Sequence, residues 1–189
     1  AIFAGGGDYP ANEFIIGSGR DALLCRYKSG RRRLDANDQI TLEFAGTDRH
    51  YHVAAMRTVV VGEPRPLHRP YHAAARDALL ACEAELKPGR TAGDVFAAHA
   101  RIFDQHGLAQ HRLNACGYSL GAKFTPSWMD WPMFYEANDW PIVPGMVMFA
   151  HMILMDSASE TAMCLGRTYL VGEGGAEALN LPDLDLVIR

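Results

Sequence analysis

The order of apolar and polar positions divides the chain into three blocks, in which strands are followed by two helices and then by strands again. In residues 1–62, two runs rich in β-branched and aromatic residues, 40–45 and 51–61, predict strands. Shorter apolar segments at 12–16 and 22–27 are bounded by glycines. From residue 66 to residue 86 the apolar positions recur at spacings of three and four, which predicts an amphipathic helix.

A second helix is predicted to begin at Thr91, because Asp94 follows three residues later in a variant of the capping box, and to end at Gly107. The third block returns to strands, and the apolar segments that predict them are 114–120, 146–155, 162–171 and 184–188. A long aromatic loop separates the first two of these segments. This order of elements indicates an α+β fold.

Composition and charge narrow the class of protein. The chain has 189 residues, 49% of them hydrophobic and 21% charged, which suits one domain with a real core and excludes a disordered chain. Lys and Arg number 18 against 22 Asp and Glu, so we expect no nucleic-acid partner. No apolar run is long enough for a membrane span, and four scattered cysteines indicate reduced thiols and a cytoplasmic location. The chain begins without Met, inside an apparent loop, so we expect a fragment of a longer protein.

Several segments, in order along the chain, carry a resemblance to a known family. They are QITLEFAG at 39–46 with HVAAMRTVVVG at 52–62, LKPGRT at 86–91, GYSLG at 117–121, PGMV at 144–147 and YLVGEGGAE at 169–177. Together they resemble the pita-bread family of methionine aminopeptidase, aminopeptidase P, prolidase and creatinase. The resemblance implies a curved, mainly antiparallel sheet flanked by helices in two pseudo-symmetric halves, and a homodimer. It also implies that residues 1–189 are the catalytic domain without its first helices, with the amino-terminal part of the same protein as a further partner.

Metal-dependent members of that family hold two ions with two Asp, one His and two Glu. The matching positions here are Glu43, Ala54, Tyr118, His151, and Gly166 or Arg167. One carboxylate and one histidine cannot neutralise two divalent ions, so we predict no metal and no other cofactor. A single zinc ion held by His50, His52, His151 and Glu43 is the alternative, since His50 and His52 are two apart on a predicted strand and would share a face.

The pattern resembles creatinase and, more closely, the ectoine-hydrolase-like branch, where Gly-Tyr-Ser replaces Gly-His-Gly. This resemblance implies metal-independent hydrolysis of a C–N bond in a small, polar, nitrogen-rich substrate. Such a reaction needs a base, a stabiliser of developing charge and a proton donor. The candidate catalytic residues are Glu43, His52, His151 and Tyr118. The position of creatinase's general base falls on Arg26, so its mechanism does not transfer directly.

The candidate substrate-binding residues are Arg26, His50, Ser119, Glu160 and Trp131. Arg26 could clamp a carboxylate, and Trp131 belongs to an aromatic segment that would form either a wall for a cationic substrate or a packing or dimer surface. Two other functions remain open: an Xaa-Pro dipeptidase or aminopeptidase with an altered metal site, and a non-catalytic binding module. The titratable groups retained at the matching positions favour an enzyme.

Overall fold

The structure, a computed structural model, describes residues 1–27 and 30–189. In this part of the chain nine strands form one sheet, and two α-helices pack against it. The strands are β1 (Ile15–Ser18), β2 (Asp38–Asp48), β3 (Tyr51–Val61), β4 (Ala115–Ser119), β5 (Asp130–Tyr135), β6 (Val147–Asp156), β7 (Thr161–Gly172), β8 (Gly175–Ala178) and β9 (Val187–Ile188). The helices are α1 (His68–Glu85) and α2 (Ala92–Gln105).

The sheet runs in the order β1-β2-β3-β7-β6-β4-β5, and each neighbouring pair on this path is antiparallel. Strand β8 pairs with β7, and β9 adds a short parallel pair to β3. Long ladders join β2 to β3 and β6 to β7, whereas β3 and β7 share only the pairs Met56–Gly166 and Arg57–Leu165. The sheet therefore consists of two well-paired ladders that meet at a narrow seam.

Side chains extend the hydrogen bonding along this seam. The Thr168 hydroxyl accepts a hydrogen bond from the Ala54 amide at 3.0 Å and donates one to the Ala54 carbonyl at 2.7 Å. Further along, the Thr58 hydroxyl accepts from the Cys164 amide at 2.8 Å. These hydroxyls supply hydrogen bonds to the Ala54 and Cys164 amides beyond the two paired positions of the seam.

The helices cover one face of the sheet. Small and apolar residues of α1, among them Ala74, Ala78 and Leu79, are buried against β6 and β7. Thr91 caps helix α2 with a complete capping box, whose two hydrogen bonds measure 2.9 and 3.1 Å. Both helices lie where the apolar spacing predicted them. No helix in the described part of the chain has the length and apolar character that a membrane crossing requires.

The opposite face of the sheet carries a second cluster of buried residues, which includes Ala45, Ala54, Met56, Tyr118 and Phe149. The segment at 126–129 lies on this face and places Trp128 in the cluster, and the 3-10 helix at Gly19–Leu23 packs near it against β2. The candidate site lies on this second face.

Two segments have a local structure that their apolar pattern did not reveal. Residues 22–27 do not form a strand, because a 3-10 helix at Gly19–Leu23 closes a turn in which the Leu24 amide donates to the Asp21 carbonyl. The aromatic loop contains an additional strand, β5, which Pro132 concealed in the sequence. Proline is tolerated there because β5 lies at the edge of the sheet.

Candidate active site

The strand register assembles the predicted site from distant parts of the chain. Glu43 lies opposite Met56, Met56 opposite Gly166, and Gly166 opposite His151, in one row across four strands. Residues directly opposite each other in antiparallel strands project from the same face. Tyr118 joins this face from β4, because it pairs with Phe149, two residues before His151.

Glu43 is the buried carboxyl group at the centre of the site, and only 7% of the residue is exposed. The Tyr118 hydroxyl donates a hydrogen bond to its Oε1 atom at 3.0 Å. Burial raises the pKa of Glu43 to about 7, against the opposing effects of this hydrogen bond and of the Arg26 charge. The carboxyl group therefore changes its protonation state close to neutral pH.

Tyr118 remains a neutral phenol, because burial and the neighbouring Glu43 charge raise its pKa well above the usual range. Its hydroxyl accepts a hydrogen bond from the Trp128 indole nitrogen at 3.0 Å while donating to Glu43. Tyr118 is one of the candidate catalytic residues, and in the structure its hydroxyl hydrogen is directed at Glu43.

His151 stands beside Tyr118 on the next strand, with ring centroids 5.6 Å apart. The residue is 9% exposed, and its Nδ1 atom is buried without a hydrogen-bond partner among the described residues. Burial lowers the pKa of His151 to about 4, so the imidazole is neutral near pH 7. A buried, unpaired ring nitrogen is an available hydrogen-bonding group for a bound molecule.

Arg26 lies at the exposed edge of this site. Its positive charge lowers the pKa of Glu43, Tyr118 and His151, so the guanidinium acts on all three groups. Its side-chain hydrogen bond among the described residues is to the Met129 sulfur at 2.7 Å, which is a weak acceptor. The guanidinium thus retains most of its capacity to bind an anion.

His52 is a candidate catalytic residue, but in the structure its ring contacts backbone groups of two loops. Its Nε2 atom accepts a hydrogen bond from the Ala11 amide at 2.9 Å, and its Nδ1 atom lies 3.3 Å from the Gly121 carbonyl. These two partners define one neutral tautomer, with the proton on Nδ1, and burial lowers the pKa of His52. Both ring nitrogens therefore contact backbone groups, and His52 connects the loop at Ala11 with the loop at Gly121.

The expectation that His50 and His52 share the face of a strand is wrong. Strand β3 begins at Tyr51, and His50 occupies the preceding turn with a φ of 67°. Its exposed ring packs against Phe124, with centroids 4.3 Å apart. The turn directs His50 away from the buried cluster, so the four-residue zinc set considered from the sequence does not assemble.

Two more predicted binding residues lie away from Glu43. Ser119 pairs with Met148, whose side chain belongs to the helix-facing core, so Ser119 points away from the site. Glu160 lies in the turn between β6 and β7, where its carboxylate is 3.6 Å from the Arg20 Nε atom. The sequence did not reveal that this turn is at the far end of the hairpin.

The three tryptophans fall into two environments. Trp131 is 48% exposed and lies in a surface cluster with Tyr135 and Trp140, at centroid distances of 5.8 and 6.0 Å. Trp128 is 1% exposed and contacts Tyr118 directly. Sequence reasoning selected Trp131 and missed Trp128, because both follow the same aromatic pattern and only the strand pairing separates them.

The family's two-metal arrangement does not fit these residues. The described residues contain no group of three or more His, Cys, Asp or Glu placed to hold a metal ion. A Cβ atom at Gly166 would stand 2.7 Å from the Phe149 Cζ atom and 2.9 Å from the Met56 Cβ atom. The Phe149 ring thus fills the space next to Gly166, which matches the position of a metal ligand in the family. Ala54 matches a second ligand position and has no donor atom in its side chain.

The candidate site is closed in this conformation. Two cavities occur elsewhere, one of about 500 Å³ beside α1 and the β7–β8 turn, the other of about 740 Å³ beside the first residues and the β2–β3 turn. Neither is lined by Glu43, Tyr118 or His151. The hydrogen-bonded group of buried titratable side chains is therefore in the Glu43 cluster and not in these two surface cavities.

Residues 1–178 match the metallopeptidase family M24. The chain belongs to this family. Among M24 relatives, it is 24% identical to the Xaa-Pro dipeptidase of Pyrococcus furiosus over 183 residues, covering 96% of this chain and 51% of the relative. It is 26% identical to the ectoine hydrolase of Halomonas elongata over 175 residues, covering 92% and 43%. The chain spans about half the length of these curated relatives.

Solved structures confirm the predicted pita-bread fold. The Xaa-Pro dipeptidase from Bacillus anthracis superimposes with a TM-score of 0.91 at 19% identity, covering 99% of this M24 chain and 51% of the other. The dipeptidase PepE from Mycobacterium ulcerans gives a TM-score of 0.88 at 23% identity, covering 98% and 49%. The names of these M24 relatives are those of peptidases and of a hydrolase.

Proposed function

We propose that this M24 chain carries the site of a metal-independent hydrolase that cleaves a C–N bond in a small, polar, nitrogen-rich substrate of the ectoine or creatine kind. The observation that carries the proposal is the buried Glu43, whose pKa of about 7 and hydrogen bond from Tyr118 suit proton transfer. It stands where Ala54 and Gly166 leave the family's metal donors incomplete. The ectoine hydrolase relative is consistent with this class of substrate.

In the proposed reaction Glu43 acts as the general base. Its carboxylate accepts a proton from water as the water oxygen bonds to the substrate carbon, and the same proton then passes to the leaving nitrogen as the C–N bond breaks. A positioned base of this kind contributes roughly 10²- to 10⁴-fold to the rate. Because only the ionised form accepts a proton, the rate should rise with pH through the Glu43 pKa of about 7.

Arg26 and His151 would bind the substrate in this scheme. The Arg26 guanidinium, whose partner among the described residues is a thioether, would bind a substrate carboxylate through two parallel hydrogen bonds. The unpaired Nδ1 atom of His151 would make a hydrogen bond to a polar substrate atom. Entry of a substrate requires side chains at the Arg26 edge, such as the partly buried Met129, to move, because Glu43, Tyr118 and His151 are buried in this conformation.

A second candidate function is that of a non-catalytic binding module. The observation that favours it is that the candidate site is closed in this conformation. Glu43, Tyr118 and His151 are each at least nine-tenths buried, and the two cavities lie elsewhere. An Xaa-Pro peptidase activity, suggested by the names of several relatives, would require metal ligands that these residues do not supply. The homodimer, the cytoplasmic location and the amino-terminal partner segment remain predictions.

The test combines metal analysis with a substrate panel, on the full-length protein purified without chelator. We expect less than about a tenth of a transition-metal ion per chain, and turnover of an ectoine-like or guanidino compound that persists in chelator. Release of proline from Xaa-Pro peptides that depends on bound metal would overturn the proposal. Absence of turnover across the panel, with ligand binding retained, would favour the binding module.

Two substitutions with matched controls assign the residues. Glu43→Gln should remove turnover, whereas Glu136→Gln, at an exposed carboxylate, should not. Arg26→Ala should raise KM for carboxylate substrates at least about tenfold, since a hydrogen bond to a charged group contributes about 1.5–3 kcal/mol. Arg20→Ala, at another exposed arginine, should leave KM unchanged. Equal effects of the members of either pair would contradict the assignment.

A further inference from the structure

Trp128 contacts the candidate site through its indole nitrogen. It is almost completely buried, yet its indole nitrogen lies 3.0 Å from the Tyr118 hydroxyl oxygen. An indole N–H can only donate a hydrogen bond, so the Tyr118 oxygen must accept it. The phenol has one hydrogen, and its remaining close partner is Glu43 Oε1, also at 3.0 Å. The direction of both hydrogen bonds is therefore determined by the donor chemistry of Trp128.

Trp128 is itself held from three sides. Its indole donates to Tyr118, its backbone amide donates to the Asn12 side-chain oxygen at 3.1 Å, and its ring packs against His52 at a centroid distance of 6.1 Å. His52 in turn binds the backbone of Ala11. The indole is thus seated by the loop at 11–12 and by β3 as well as by Tyr118.

Hydrogen bonds in a chain strengthen one another, since a phenol that accepts a hydrogen bond becomes a better donor. The indole bond accordingly strengthens the bond from Tyr118 to Glu43 and prevents the hydroxyl from turning elsewhere. Oε1 of Glu43 is then occupied by Tyr118. Oε2 accepts no hydrogen bond from the described side chains and is the oxygen left for a bound molecule.

We propose that Trp128 is a positioning residue of the candidate site: its indole hydrogen bond to Tyr118 commits the phenol hydrogen to Glu43 Oε1 and leaves Oε2 to meet the substrate. This inference rests on the proposed function only for its catalytic meaning, because the hydrogen-bond chain can be measured without turnover. It assigns Trp128 an effect on Glu43 that acts entirely through Tyr118.

The experiment is a double-mutant cycle read by infrared difference spectroscopy of the full chain at about pH 5, where Glu43, with its pKa of about 7, is protonated. Subtracting the spectrum of the Glu43→Gln variant isolates the Glu43 carbonyl band. Tyr118→Phe should move this band to higher frequency, because the carbonyl loses its donor. Trp128→Phe, which keeps an aromatic ring and removes the N–H, should cause a smaller shift in the same direction.

The decisive comparison is Trp128→Phe in the Tyr118→Phe background, where we expect no further shift. An equal shift in both backgrounds would mean that Trp128 acts on Glu43 directly, and no shift in either would mean that the indole bond has no effect; each result overturns the inference. Trp140→Phe, at an exposed tryptophan, is the matched control and should leave the band unchanged.

A second measurement avoids any change at Trp128, in case that variant does not fold. The Trp128 indole N–H proton resonance should move upfield and exchange faster with solvent in Tyr118→Phe than in the unmodified chain, while that of Trp140 stays constant. An unchanged Trp128 resonance would overturn the inference. If Trp128 affects the Glu43 band through Tyr118 but the chain has no hydrolase activity, only the proposed function is contradicted. If the chain turns over substrate but Trp128 has no such effect on Glu43, only the positioning role is contradicted.

Discussion

Replacing Glu43 with glutamine should make the protein more stable at neutral and alkaline pH, although it removes the central group of the site. Burial raises the pKa of this carboxyl from its ordinary value of 4.5 to about 7. The folded chain therefore retains a proton that the unfolded chain has already lost. Stability then falls as the pH rises from the unfolded to the folded pKa, and stays level above it.

The size of the effect follows from the difference between the two pKa values. One pKa unit corresponds to about 1.4 kcal/mol, so the penalty for the ionised Glu43 reaches about 3 kcal/mol at pH 8. Because the residue is 7% exposed, solvent screening removes little of this amount. Glutamine has nearly the same shape, can still accept the hydrogen bond from Tyr118, and carries no charge at any pH.

The assay is urea denaturation followed by tryptophan fluorescence, between about pH 5 and about pH 8. The free energy of unfolding of Glu43→Gln, relative to the unmodified chain, should rise by about 2–3 kcal/mol across this range. Glu136→Gln, at the exposed carboxylate, should show no such rise. A difference that stays constant or falls with pH would refute the reasoning. It would show that the ionised carboxylate is stabilised in the folded state, for example by closure of Arg26 onto it.

Three further predictions concern the framework around the site. Thr168→Val should lower the free energy of unfolding by about 1–3 kcal/mol because the Ala54 amide loses its buried acceptor. Thr168→Ser keeps the hydroxyl and should lower this free energy clearly less. Equal losses would contradict a stabilising role of the Thr168 hydroxyl at the seam. Gly166→Ala should lower the free energy of unfolding by about 1–3 kcal/mol by crowding the Phe149 ring. Adding Phe149→Leu to that variant should recover part of the loss. If the losses of the two single variants simply add in the double variant, the crowding explanation is wrong. Thr91→Ala should cost about 1 kcal/mol through loss of the helix cap, and an unchanged denaturation midpoint would show that the cap contributes nothing.

The candidate site was only partly predictable, and the reason differs from residue to residue. Glu43, Tyr118 and His151 were found because each falls at a position that matches a family motif, and the strand register brings all three to one face. Glu160 was selected as a carboxylate that could hold a cationic substrate group, and the hairpin turn holds it next to Arg20 instead. A residue type suggests a chemistry, but its position on the hairpin decides whether it reaches the site.

The surroundings of His50 and His52 also could not be predicted from their spacing in the sequence. His50 and His52 are two residues apart, a spacing that places side chains on one face only while the chain is extended. The turn before β3 breaks that alternation with a positive φ at His50. His52 does point inward, but the loops at Ala11 and Gly121 occupy both its ring nitrogens. Neither loop contact leaves a signal in the local sequence.

The sequence by itself determined the elements that depend on near neighbours. The apolar spacing of α1, the capping residues of α2 and the β-branched runs of β2 and β3 all act over a few residues, so they are legible in a single chain. The tertiary structure alone decided which side chains meet: Tyr118 donates to Glu43 across 75 residues, and Trp128 rather than Trp131 is buried beside them. Such contacts depend on strand register and on how loops close over the sheet, where a shift of one residue turns a side chain to the opposite face.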